Sequence, residues 1–110
     1  MPVLLPRPAF IRAVNTRIAW FGENRSEEQL DTFLVALAAV RERITQNPQA
    51  GPILKQNDQH VLRMRLFPRP LPYLVYYGHN KSEPFTEAYL VQLYGSGQCR
   101  PDFDMSEWPW

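Results

Sequence analysis

Apolar residues recur at helical spacing through the first half of the chain. Ile11, Val14, Ile18 and Phe21 fall three or four positions apart, with Pro8 suited to a first turn, which predicts a helix ending at Gly22-Glu23-Asn24. Ser26-Glu27-Glu28-Gln29 reads as a capping box, its serine hydroxyl and glutamine amide placed to satisfy orphan amides at a helix start. Behind it the stripe Leu30, Phe33, Leu34, Leu37, Val40 and Ile44 runs to Asn47-Pro48, where the proline stops the helix. Two amphipathic helices joined by a short link predict an αα-hairpin.

The period then changes to two. Leu62, Met64 and Leu66 alternate with Arg63 and Arg65, which predicts a strand with one face for a core and the other for an anion. Tyr73 to Tyr77 is apolar or aromatic on both faces, as a central strand covered on both sides would be. Pro68, Pro70 and Pro72 donate no ladder hydrogen bonds and mark the connection between the two. Their every-second-position spacing departs from the three-residue period of a polyproline ligand. A third strand, Ala88 to Tyr94, follows a polar turn around Asn80-Lys81-Ser82 and Pro84, with Tyr89, Val91 and Leu93 on one face and Leu90, Gln92 and Tyr94 on the other. Short connections make these an antiparallel meander, and Val3-Leu4-Leu5 is a short edge strand. The expected architecture is α/β (α+β): an N-terminal helical hairpin packed on the apolar face of a small antiparallel sheet, in one domain spanning residues 1–110.

Composition narrows the function classes. A chain of 110 residues buries a modest single core. No apolar run approaches a membrane span, and an N-terminus broken by Pro2, Pro6 and Pro8 lacks a signal peptide's apolar segment, so a cytoplasmic protein is expected. The single cysteine, Cys99, excludes an internal disulfide or a cysteine-cluster zinc site and reads as an ordinary free thiol. No phosphate-cradling glycine loop is present, since Gly95-Ser96-Gly97 lacks the further glycine and the lysine, and neither cofactor nor metal is expected.

The net charge of +1 says little, but of twelve basic residues only Lys55 and Lys81 are lysine, and Arg63, Arg65 and Arg69 cluster around the first strand. Guanidinium groups grip phosphate and carboxylate in a bidentate fork, so this face is a candidate site for nucleic acid or an acidic peptide; the alternative is a solvated surface. His60, before the arginine strand, is a candidate general base or an exposed strand-edge residue, and His79 falls in the turn. The tail, 101–110, is acidic and aromatic. Asp102, Asp104 and Glu107 lack the glycine and remaining ligands of a calcium loop, whereas Trp108 and Trp110 are expected to fold back on the domain or to anchor a partner.

The order and spacing of several segments resemble the ParE/RelE superfamily of toxins from bacterial type II toxin–antitoxin systems, also described as plasmid stabilization proteins. They are the Phe33-to-Ile44 helix running into Asn47-Pro48-Gln49-Ala50-Gly51-Pro52, the Val61-Leu62-Arg63-Met64-Arg65 strand, and Pro72-Tyr73-Leu74-Val75-Tyr76-Tyr77 before Tyr89-Leu90-Val91-Gln92-Leu93-Tyr94. The resemblance covers about Pro8 to Tyr94. It implies a helical hairpin on a twisted antiparallel sheet, and an antitoxin that neutralises the toxin with a helix and an extended segment. One branch of the family consists of ribosome-dependent mRNA endoribonucleases; the other inhibits DNA gyrase without chemistry of its own.

A ribonuclease of this kind needs cations on the scissile phosphate and a proton-transfer group, for which Arg63, Arg65 and Arg100 with Tyr94 are the candidates. Tyr76 and Tyr77 could also transfer a proton or stack on a base. Against it, Gly95-Ser96-Gly97-Gln98 stands where many members carry histidine or arginine, and the chain is nearly neutral. The expectation is therefore a growth-inhibiting toxin that binds DNA gyrase and blocks replication, with Arg63, Arg65, Arg69, Arg100, Trp108 and Trp110 as target-binding residues. An mRNA interferase acting on ribosome and mRNA is the alternative, and a non-toxic peptide-binding module is the second.

Overall fold

Proline fixes φ near its helical value, and its missing amide hydrogen is one that a first turn leaves unused. In the computed structural model of the chain α1 accordingly starts at Pro8 and runs Pro8–Asn24. The structure describes residues 2–24, 27–82, 84–95, 98 and 103–108. The face that α1 buries is centred on Phe10 and Phe21, with Ala13 and Val14 packed beside them, and Ile11 is exposed. The predicted stripe is thus offset by one residue at its start, because Phe10 presents more apolar surface than Ile11 and takes the core-facing position. α2, Glu27–Gln46, buries Phe33, Ala36, Leu37, Val40 and Ile44 and leaves Leu34 at the solvent edge. Ser26, the predicted cap, lies outside the described residues; Glu27 and Glu28 in the first turn and Arg43 in the last suit the helix dipole.

Five strands form one open sheet: β1 Val3–Pro6, β2 Ile53–Gln56, β3 His60–Leu66, β4 Tyr73–Asn80 and β5 Glu87–Gly95, in the order β1-β5-β4-β3-β2. β2 through β5 are antiparallel neighbours, and β1 runs parallel to β5 with Leu4 opposite Ala88. The fold is two N-terminal helices packed on a mixed, mostly antiparallel sheet. Several strands differ from expectation. In β5 the register shift opposite Tyr76 and Tyr77 puts Leu93 with Leu90 on the helix side and Tyr94 with Val91 and Tyr89 on the other, where unbroken alternation expects Leu93 beside Val91 and Tyr94 beside Leu90. β2 was not expected, since a four-residue edge segment between Pro52 and Asn57 shows no alternation to read. β4 continues beyond Tyr77, which carries His79 into the sheet instead of the turn.

Both faces of the sheet are covered. On one, Tyr73, Val75, Tyr77, Ala88, Leu90 and Leu93 join Phe10, Phe21, Phe33, Val40 and Ile44 of the helices. On the other, Leu62, Tyr76, Val91 and Tyr94 pack with Met105, Phe103 and Trp108 of the tail, which holds a short 3-10 turn at Met105–Glu107. The tail folds back, as expected of it, through residues 103–108. β3 is turned over relative to prediction. Leu62 and Met64 lie under the tail, while Arg63 and Arg65 share the face of Tyr77 and Val75, their register partners, toward the helices. The second apolar layer supplied by the tail makes this orientation favourable. Among the described residues no helix is long and apolar enough to cross a membrane.

Candidate functional site

Arg63 is fixed by two charge-assisted hydrogen bonds. Its Nε donates to His79 Nε2 at 2.9 Å and its Nη1 to the Gly51 carbonyl at 2.6 Å. His79 Nδ1 lies 2.6 Å from the Asn80 carbonyl, which can only accept, so Nδ1 carries the proton and Nε2 is left to accept from Arg63. His79 is 1% exposed, with Phe85 edge-on to its ring. Burial, and then the Arg63 charge, push its pKa below the ordinary histidine value, opposed by the Asn80 carbonyl. The neutral imidazole is therefore the form that this site holds.

Beside it Tyr77 ties the loop after α2 to the sheet. Its hydroxyl donates to the Pro48 carbonyl at 2.8 Å and accepts from the Gly51 amide at 3.2 Å. Burial raises the Tyr77 pKa, which keeps this donor protonated. Gly51 itself sits against the Met64 carbonyl and the Tyr77 hydroxyl, in a space that a Cβ would fill. Arg63, half-buried, with the buried Tyr77 and His79 thus forms a polar clamp on residues 48–51. Neither its existence nor the burial of His79 was read from the sequence, since it depends on the register that places Arg63 opposite Tyr77 and Val61 opposite His79.

The remaining candidates are dispersed. Arg65 is half-buried and lines a shallow cavity of about 360 Å³ with Arg43, Pro52, Leu66 and Phe67. Arg69 is exposed in the proline-rich connection, where the Arg69–Pro70 peptide is cis, and borders a separate apolar groove with Val35, Pro68 and Leu71. Tyr94 is buried on the opposite sheet face from Arg63 and Arg65, its ring edge-on to Tyr76 at 5.0 Å. Arg100 and Trp110 lie outside the described residues, as do Cys99 and Asp102.

No family model matches this chain, and no curated protein matches it. The functional reading therefore rests on geometry and on the resemblance drawn from its motifs.

On the tail face Lys55 donates from Nζ to the Phe103 carbonyl at 2.8 Å. Trp108 stacks on His60 with ring centroids 4.7 Å apart, and stands edge-on to Tyr89. Its indole also occupies the space above Gly78 where a side chain would project. Desolvation lowers the His60 pKa, so its ring favours the neutral form as a stacking partner. Asp104 caps the 3-10 turn, accepting from the Ser106 amide at 2.9 Å and the Ser106 hydroxyl at 2.8 Å.

Proposed function

We propose that the chain is the toxin of a bacterial toxin–antitoxin pair of the ParE/RelE kind, and that it arrests growth by binding DNA gyrase rather than by cutting RNA. The resemblance supplies the class. One observation favours the gyrase branch: Tyr94 is separated by the thickness of the sheet from Arg63 and Arg65, and Arg63 is already bonded to His79 and Gly51. Phosphoryl-transfer catalysis requires its cations and its proton-transfer group within hydrogen-bond reach of one scissile phosphate. Among the described residues these candidates do not converge in that way. A binding toxin needs only an accessible surface, which Arg65 and Arg69 provide.

The test is induction of the chain in bacteria without a partner, with pulse-labelling of protein synthesis within minutes and a count of surviving colonies. Continued synthesis with filamentation and falling viability, together with inhibition of supercoiling by gyrase in a purified assay, is the expected result. Immediate collapse of labelling would assign the ribosome as target instead. Undisturbed growth would reject toxicity and leave the binding module.

A further inference from the structure

We infer that the cleft between α1 and the end of β5 is a binding site for a small phosphorylated molecule, a phosphomonoester of about mononucleotide size, with its phosphate on Arg12 and Arg17. β1 ends at Pro6, opposite Leu90, so residues 92–95 of β5 continue past their last strand neighbour on that side. α1 packs along β5 there. Between them lies a cavity of about 410 Å³, within the range of small-ligand clefts, roughly 300–1,000 Å³. Ala9 and Ala13, about one turn apart, line it from α1, and their small side chains leave room that longer ones would fill.

The polar groups around this cavity are rich in donors. Arg12, Thr16 and Arg17 line it from the helix, and Gln92 and Gln98 from the strand and the residues after it. Two backbone amides at this end of β5 are already taken, Leu93 N donating to Gln92 Oε1 at 3.0 Å and Gly95 N to Gln98 Oε1. Each carboxamide is thereby held by its oxygen, and its amino group, which can only donate, is the end left for a ligand. Arg17 is half-buried and set in place by stacking, its Cζ lying 5.4 Å and 5.3 Å from the ring centroids of Trp20 and Tyr73. Its Nη2 comes within 3.4 Å of the point where a Cβ at residue 95 would stand, so the glycine leaves the guanidinium its place over the strand end. Among the described residues no carboxylate lines the cavity. Two guanidinium forks, two carboxamides and a hydroxyl offer more donors than one carboxylate has lone pairs to accept, whereas a phosphomonoester dianion brings three strong acceptor oxygens and further oxygens on the body that carries it. The space against Ala9 and Ala13 takes that neutral body.

This site lies on α1 and β5, apart from the Arg65 and Arg69 surface invoked for growth arrest, so either reading can fail without the other. The isotope-labelled full chain would be titrated with adenosine 5′-monophosphate, ribose 5-phosphate and adenosine at constant ionic strength, following backbone amide shifts. Expected are saturable shifts at residues 12–17 and 92–95 with both phosphates and none with adenosine. Arg12→Glu, at an exposed position, should melt like the parent chain and bind both phosphates about tenfold more weakly. Arg17→Lys, which keeps the charge and loses the fork, should weaken both as well. Equal shifts with adenosine, undiminished binding in Arg12→Glu, shifts confined to other residues, or no saturation at millimolar ligand would overturn the inference. Tighter binding of a single-stranded oligonucleotide at the same amides would assign the cleft to nucleic acid and overturn it too.

Discussion

Removing the Arg63 guanidinium takes away two donors at once and leaves the His79 imidazole and the Gly51 carbonyl without them. Hydrogen bonds to a charged group contribute about 1.5–3 kcal/mol each, and the groups here are only partly solvated. Arg63→Ala should therefore destabilise the fold by roughly 2–4 kcal/mol. Tyr77→Phe should cost about 1–3 kcal/mol, because the Pro48 carbonyl and Gly51 amide lose a buried partner. Urea unfolding of both variants is the measurement. A change below about 0.5 kcal/mol in Arg63→Ala, the level of an ordinary surface substitution, would mean that the clamp contributes nothing. His79 adds a pH dependence whose sign is fixed. Its folded pKa is depressed below the unfolded value, so between the two the unfolded chain binds the extra proton and stability rises with pH. Stability should be complete above about pH 6.5, where an ordinary histidine has titrated, and should fall as the pH drops below it. His79→Gln, which keeps an acceptor for Arg63, should remove most of that slope in melting curves taken above the carboxylate range; His60 contributes in the same direction.

At the level of elements, the tail and the sheet face beneath it act as one layer. Trp108 occupies the space above Gly78 between His60 and Tyr89, so Gly78→Ala should dislodge the indole and Trp108→Ala should leave a cavity. Each should cost on the order of 2–3 kcal/mol, and both should raise the hydrogen exchange of the β3 and β4 amides below. If unfolding of Gly78→Ala matched the parent chain, the seat would have to be remade without cost, and the tail would be an appendage rather than a layer. The helices were legible because long apolar stripes carry their own period, down to Phe33, Leu37, Val40 and Ile44. The Ile11 offset arose where two neighbouring apolar residues competed for one direction. β2 was not legible, being too short to alternate. Alternation along β3 gave its two faces correctly, but not which would meet the helices, because that depended on a tail more than thirty residues further on. Arg63 was identified as a cation and not as a clamp, since its partner His79 is brought to it by strand register alone.

For the molecule as a whole the sheet is a partition. The helix side holds Arg63, Arg65 and the polar clamp, and the tail side holds Tyr94, Tyr76 and the apolar residues that the tail covers. A catalytic tyrosine paired with Arg63 or Arg65 would have to act across that partition, through strands about 5 Å apart that leave no passage. Tyr94→Phe separates the two mechanisms directly. If the chain acts by binding gyrase, the variant keeps the ring packed against Tyr76 and should arrest growth at the parent's level of induction. If Tyr94 transfers a proton in RNA cleavage, loss of the hydroxyl should cut the rate by about a hundredfold or more, and growth arrest should disappear while the protein still melts like the parent. Measuring melting and growth arrest on the same variant keeps a folding defect from passing as a catalytic one. The same pairing applied to Arg65→Ala distinguishes a surface contact, which weakens arrest without lowering the melting temperature, from a second structural arginine, which lowers both.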